Sequence, residues 1–195
     1  MEDLQAVWDS ALLADGPAGR HWTHRSVAEF LTAQACQPLP LPSVRALLTD
    51  PQNPGRVLPQ LAGVAAALAT LHPDVGDWLI AADPQVAMQA DLQALPESQR
   101  ARLAAAVLAR LGSAPMTSAR SGYAGLAHCG LSGQLAPLLA QGQPVSCRQE
   151  ALLIIEATGL RDLDGPLMAL IEELTHDQDP EIFDDDTRLA QWAAR

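Results

Sequence analysis

Apolar residues recur along this chain every three to four positions, a spacing that predicts helix after helix separated by short punctuation. The first segment, Asp3 to Ser10, carries Leu4, Val7 and Trp8 at helical spacing and gives way to Ala11, Leu12 and Leu13. The turn signal Gly16-Pro17-Ala18-Gly19 follows, and with a second arm at Arg20 to Thr23 it predicts a short β-hairpin. Val27, Phe30 and Leu31 then fall at i, i+3 and i+4, the apolar stripe of a helix that runs to about Cys36. Pro38, Pro40 and Pro42 end it, because each removes an amide donor and restricts the residue before it.

Downstream, Val57 to Leu71 is strongly apolar. His72-Pro73 opens a helix through Trp78 to Ala82, and Asp83-Pro84 opens a short third one, proline being tolerated in a first turn. Pro96 starts a longer helix in which Leu103, Val107 and Leu111 share one face and Arg100, Arg102 and Arg110 lie off it. Gly112 is positioned to close that helix as a left-handed cap. In the C-terminal half, a helix ending at Gly130-Leu131 and another ending at Gly159-Leu160 suggest a repeat. Each corner is followed by leucines at helical spacing: Leu135, Leu138 and Leu139 after the first, Leu163, Leu167 and Leu170 after the second. Ser146 and Gln149 form a capping-box pattern for the helix holding Ala151 to Ile155, which is apolar nearly all round and needs neighbours on several sides. Antiparallel helix pairs stacked in this way form a solenoid. A last stripe, Leu189, Trp192 and Ala193, marks a final helix with an uncovered apolar face.

Composition supports the helical reading. Hydrophobic residues make up 48 % of the 195 positions but aromatics only 4 %, so the core is built from Leu, Ala and Val, of which Leu and Ala are favourable in helices. The formal net charge of -11 argues against nucleic acid as a partner, since phosphate-backbone affinity comes from cations. All 12 basic residues are arginines, which excludes Schiff-base chemistry and a phosphate-loop lysine. Cys36, Cys129 and Cys147 are too few and too scattered for a disulfide framework or zinc knuckle, and read as three buried apolar side chains in a reducing compartment. Without a signal-peptide pattern or an apolar run near the ~20 residues that span a bilayer, the chain reads as cytoplasmic, with no membrane partner.

One stretch carries a resemblance. Trp22-Thr23-His24-Arg25-Ser26-Val27-Ala28-Glu29-Phe30-Leu31-Thr32-Ala33 resembles the aromatic-x-His-x-Ser-aromatic-x-Glu-Phe-Leu-Ala-Ala signature that closes the winged-helix region of NACHT-type STAND ATPases. Val27 stands where an aromatic is usual, and Thr32 replaces an alanine. Residues 57 to 91, with Pro59-Gln60-Leu61 and Asp83-Pro84, are similar to the helical region that follows it in bacterial members. By this resemblance residues 1–37 end a winged helix, residues 38–195 form a HEAT-like helical region with a division near residue 113, and the hairpin is a winged-helix remnant. His24 becomes the candidate nucleotide sensor. An imidazole can donate to a phosphate oxygen and titrates near neutral pH. The plainer reading is that His24 packs at a helix start. The chain contains no G-x-x-x-x-G-K-[ST] sequence, so nucleotide enters only in a longer parent and no cofactor is expected here.

Other candidate chemistry is thin. Asp177, Asp179, Glu181, Asp184, Asp185 and Asp186 offer oxygens for a hard cation, yet lack the glycine and final glutamate of an EF-hand loop, so no metal site is read there. From Asp162 onward ten acids face two arginines, Arg188 and Arg195. His128 and Cys129, read as neighbours on a helix, would point about 100° apart and make a poor dyad. No G-x-S-x-G or H-E-x-x-H pattern is present. The expectation is an all-α, HEAT-like solenoid of stacked helix pairs without catalytic residues. Its function would be interaction or sensing within a larger NACHT-like signalling ATPase, in bacterial defence, with a protein partner or adjoining domains of the same chain. The alternative is a HEAT-like domain that binds nucleic acid or a small ligand.

Overall fold

The computed structural model of the chain describes residues 13–16, 19–111 and 120–176. These residues are mostly helical, with nine α-helices among them and four short strands. The chain forms two compact units, Met1–Asp91 and Leu92–Arg195. The helix that follows His24 belongs to the same unit as the helices up to Ala87.

In the first unit, β1 (Leu13–Gly16) pairs antiparallel with β2 (Gly19–Trp22), in the register Leu13↔Trp22 to Gly16↔Gly19. Helix α1 (Arg25–Cys36) follows at once. The face it packs is not the expected one. Phe30 is 48 % exposed and Leu31 39 %, whereas Ala33 is fully buried. The covered positions are Val27, Ala28, Glu29, Ala33 and Cys36, so of the apolar stripe only Val27 is partly buried. The cause is close approach of helix α3 (Ala62–Leu71), whose Gly63 backbone lies so near that a Cβ there would run into the Glu29 carboxylate. Small residues permit this approach and large ones do not, so size overrides hydrophobicity in choosing the buried face.

Between them the proline cluster holds a helix the periodicity does not announce, α2 (Leu41–Leu48). Pro42 lies in its first turn, where the missing amide costs nothing. Val44 and Leu48 are its buried residues, and the Arg45 guanidinium lies over the Trp78 ring at 5.7 Å. A second hairpin, β3 (Thr49–Asp50) with β4 (Asn53–Val57), turns on Asp50, whose carboxylate accepts the Gln52 amide at 2.8 Å. The apolar stretch read from Val57 is thus strand at its start. A 3-10 turn, Pro59–Leu61, leads into α3.

Helix α3 is the centre of this unit and contributes Val64, Ala65, Ala66, Leu68 and Ala69 to the core. It packs on α1, on α4 (Pro73–Ala82) and on α5 (Pro84–Ala87). Both proline-opened helices begin where the sequence places them. His72 ends α3 by donating its amide to Leu68 O at 2.9 Å, and starts α4 by accepting from Val75 and Gly76 at 3.0 and 3.1 Å. Asp83 does the same between α4 and α5, and its buried carboxylate also accepts the Val57 amide at 3.4 Å.

In the second unit, α6 (Glu97–Leu108) buries Leu103, Ala104 and Val107 as its periodicity predicts. The helix ends at Leu108 with Ala109 as its C-cap, short of Leu111 and of the expected cap Gly112, which itself lies outside the described residues. The stretch ahead of Gly130 is not an α-helix. Residues Arg120–Leu126 form a 3-10 segment in which Tyr123 is fully buried and donates its hydroxyl to Glu150 at 2.5 Å. Helices α7 (Leu131–Leu139), α8 (Val145–Thr158) and α9 (Asp164–His176) complete the unit. The two Gly-Leu corners differ physically. Gly159 adopts φ +67° and closes α8 with a Schellman pattern, its own amide and that of Leu160 reaching Glu156 and Ile155 carbonyls. Gly130 has φ -99° and precedes a helix. The expected capping box is also absent: Pro144 precedes α8 with no side-chain cap, and Ser146 lies inside the helix. The turn residues Pro17 and Ala18, the Asp3–Ser10 segment, the acidic segment 177–186 and the stripe at Leu189, Trp192 and Ala193 lie outside the described residues.

Candidate functional site

The residue with the sharpest sequence expectation, His24, stands between β2 and α1. Its backbone is extended, with φ -126° and ψ 127°, and its carbonyl accepts the Val27 amide at 3.1 Å, so it is the N-cap position of α1. The imidazole makes no capping hydrogen bond and is exposed. Arg25 and Ser26 beside it are exposed as well, and no acid occupies the first turn. A cationic side chain, an imidazole and the open amides of a helix start are thereby gathered at one end of α1, an environment that favours negative charge.

Arg25 is held by a defined network. Its Nε lies 2.6 Å from Glu29 Oε1, and its Nη2 donates to Gln60 O at 3.1 Å. Glu29 in turn lies against Gly63 in the first turn of α3. A carboxylate at that position is favoured by the positive end of the α3 dipole. The two helices are therefore joined through a three-part contact made by Arg25, Glu29 and the start of α3. Sequence reasoning missed Gly63 and Gln60, which are more than thirty positions from Arg25.

The second cluster gathers Glu97, His128 and Cys129. His128 and Cys129 lie after the 3-10 segment, not on a helix as expected. His128 Nδ1 donates to Leu126 O at 2.8 Å, while its buried Nε2 has no partner. Glu97 Oε1 accepts the Cys129 amide at 2.9 Å. That amide bond, with a further hydrogen bond from the Cys129 thiol, holds the Glu97 carboxyl below its ordinary range. The same carboxylate pushes the Cys129 thiol upward, by hydrogen bonding and by its charge. A nucleophilic thiol needs the opposite shift, so this arrangement disfavours the thiolate. Of the three cysteines only Cys147 is buried; Cys36 is half-buried and Cys129 exposed, which corrects the expectation of three core side chains.

A third feature was hidden by the apolar character of α8. Arg148 is buried, 5 % exposed, and its Nη2 reaches Glu173 Oε1 on α9 at 3.0 Å. Glu173 also lines a groove of about 640 Å³ between α7 and α9, with Leu139, Ala140, Ala169, Leu170 and Glu172. Among the described residues no group of three or more His, Cys, Asp or Glu side chains could hold a metal ion. No helix among them is long and apolar enough to cross a membrane. Comparison with known families, curated proteins and solved structures finds no match to this chain.

Proposed function

We propose that this chain is a non-catalytic, helical-repeat interaction or sensor module of a larger NACHT-like signalling ATPase of the bacterial cytoplasm. In this reading the hairpin and α1 are the end of a winged helix, and the later helices form a HEAT-like arm that receives a protein partner or an adjoining domain. The observation that carries it is the position of His24, exposed at the start of a helix that directly follows a two-stranded hairpin. The motif residues around it also have roles suited to such a junction. Arg25 and Glu29 tie the motif helix to α3, so a change at His24 would be felt by the helices beyond. The Glu97 carboxylate, which pushes the Cys129 thiol upward, works against a nucleophilic role for it, and the sequence contains no phosphate-loop pattern.

The test has two parts. The reading frame upstream of residue 1 is expected to encode an in-frame phosphate-loop domain, and in that longer protein His24→Ala is expected to speed ADP release. The 195-residue chain alone should give no calorimetric signal with ADP. An upstream frame lacking any phosphate-loop domain, or ADP binding by the isolated chain, would overturn the proposal.

A further inference from the structure

We propose that the Arg148–Glu173 pair is a selector of conformation: it holds α9 in one seating on the second unit, and does so without adding to the unit's stability. Arg148 lies buried in α8 and reaches Glu173 Oε1 on α9 through its Nη2 at 3.0 Å. The buried Nε of the same guanidinium has no hydrogen-bond partner. Withdrawing a charge from water is costly, and an ion pair that leaves one of its donors unsatisfied does not recover the loss. A well-packed apolar pair of similar volume is as stable or more so. Removing one partner alone is a different matter, since the other charge is then left without its counter-ion. What the ion pair has and an apolar pair lacks is direction: its hydrogen bond exists in one placement of α9 against α8.

The apolar contacts of α9 leave that placement open. Leu163, just ahead of the helix, and Leu170 are buried, whereas Leu167 and Ile171 are half-buried and Met168 is 54 % exposed. Leu163, Leu167 and Ile171 follow one another at intervals of four, about one helical turn each. A slide of α9 by one turn toward its C-terminal end therefore puts Leu167 where Ile171 lies and Leu163 where Leu167 lies, apolar for apolar. The same slide carries Glu173 past Arg148 and brings Ala169 to its place, a side chain with no acceptor to offer. Packing against α7 does not decide the matter either. The groove of about 640 Å³ runs between the two helices, with Ala136, Ala140 and Ala169 among its walls. Interdigitated large side chains fix a helix by shape, and small ones beside open space do not. Glu173 lines the same groove, so the directional bond acts on the side of α9 that shape leaves unguided.

The full chain with carbon-13-labelled leucine methyl groups tests this by NMR, the Leu170 signals being assigned through Leu170→Met. The unaltered chain should give one sharp Leu170 set. In the double variant Arg148→Met/Glu173→Leu the Leu170 signals should split or broaden, while those of Leu103 in α6 stay single and sharp. Urea unfolding followed by circular dichroism should place the midpoint of the double variant at or above that of the unaltered chain, and the midpoint of Arg148→Met alone below it. One sharp Leu170 set in the double variant overturns the proposal, because α9 is then seated without the pair. A split set in the unaltered chain overturns it too, because the pair is then present and does not select. So does a double variant that unfolds at lower urea than the unaltered chain or does not fold cooperatively, because the pair is then a source of stability.

Discussion

Adding one methyl group to the second unit should have opposite effects at two glycines, and the pair tests the packing of the 3-10 segment. At Gly125 an added Cβ would stand 2.6 Å from Leu92 Cβ, 3.0 Å from Cδ1 and 3.2 Å from Cγ. Carbon atoms prefer about 3.5 Å or more, so Leu92 must retreat by nearly 1 Å. Leu92 is 4 % exposed, and its Cβ is fixed to the backbone, so a rotamer change cannot relieve the shortest contact. Overpacking of this kind costs about 1–3 kcal/mol. Gly125 does not adopt positive φ, so alanine fits its backbone and recovers about 0.4–1 kcal/mol through the unfolded state. The net expectation for Gly125→Ala is a loss of about 1–2 kcal/mol. At Gly133, exposed within α7, an added Cβ meets nothing within 4 Å. There the same change should stabilise, by about 1 kcal/mol or slightly less. Urea unfolding followed by circular dichroism measures both, and a lowered midpoint at an unchanged m-value is the signature sought for Gly125→Ala. Leu92→Ala in the Gly125→Ala background should cost somewhat less than Leu92→Ala alone, since it removes the Cδ1 and Cγ contacts while the contact to Cβ remains. A neutral or stabilising Gly125→Ala, or strictly additive effects with Leu92→Ala, would refute the contact.

Further outcomes concern the side chains at three places in the fold. Glu97→Gln should speed alkylation of Cys129 by iodoacetamide at pH 8, because the charge and hydrogen bond that hold the thiol protonated are gone; mass spectrometry of the modified peptide reads the rate. The Glu97 carboxyl is held low, so its contribution to stability is present above the ordinary glutamate range and is lost only as pH falls through its lowered value. A thermal scan across acidic pH should show the unaltered protein losing stability more steeply than Glu97→Gln in that window. Arg148→Ala should lower stability by about 2–4 kcal/mol, since it opens a cavity and strips Glu173 of its cation. Phe30→Ser should change stability by less than about 0.5 kcal/mol, being half exposed, while Ala33→Leu should cost about 1–3 kcal/mol by forcing α1 away from α3.

The helices that begin with proline were legible because proline acts locally: Pro73, Pro84 and Pro96 each mark a start whatever the chain packs against. The helix end at Gly159 was legible for the same reason, although its left-handed conformation was not read there. Features decided by distant partners were not. Which face of α1 is buried depends on Gly63, and a stripe of Val27, Phe30 and Leu31 cannot announce a glycine on another helix. Gly130 looks like Gly159 in sequence, and the difference in their φ values comes from a 3-10 segment that apolar spacing does not separate from an α-helix. The Glu97 and Cys129 pairing and the Arg148 and Glu173 pairing each join residues more than twenty positions apart. Of the candidate site, the place of His24 at a helix start was foreseen, while the anchorage of Arg25 and Glu29 to α3 required the fold.

The joints at His72 and Asp83 leave no spare length between successive helices of the first unit. Each is a single residue whose amide belongs to one helix and whose carbonyl belongs to the next. Lengthening either joint by one residue would therefore act like turning a screw: the helix beyond would rotate by about 100° and present its outer face inward. Insertions and deletions during the divergence of this chain should accordingly have been confined to other stretches, and a tag or loop grafted at residue 72 or 83 would scramble the core, not decorate it.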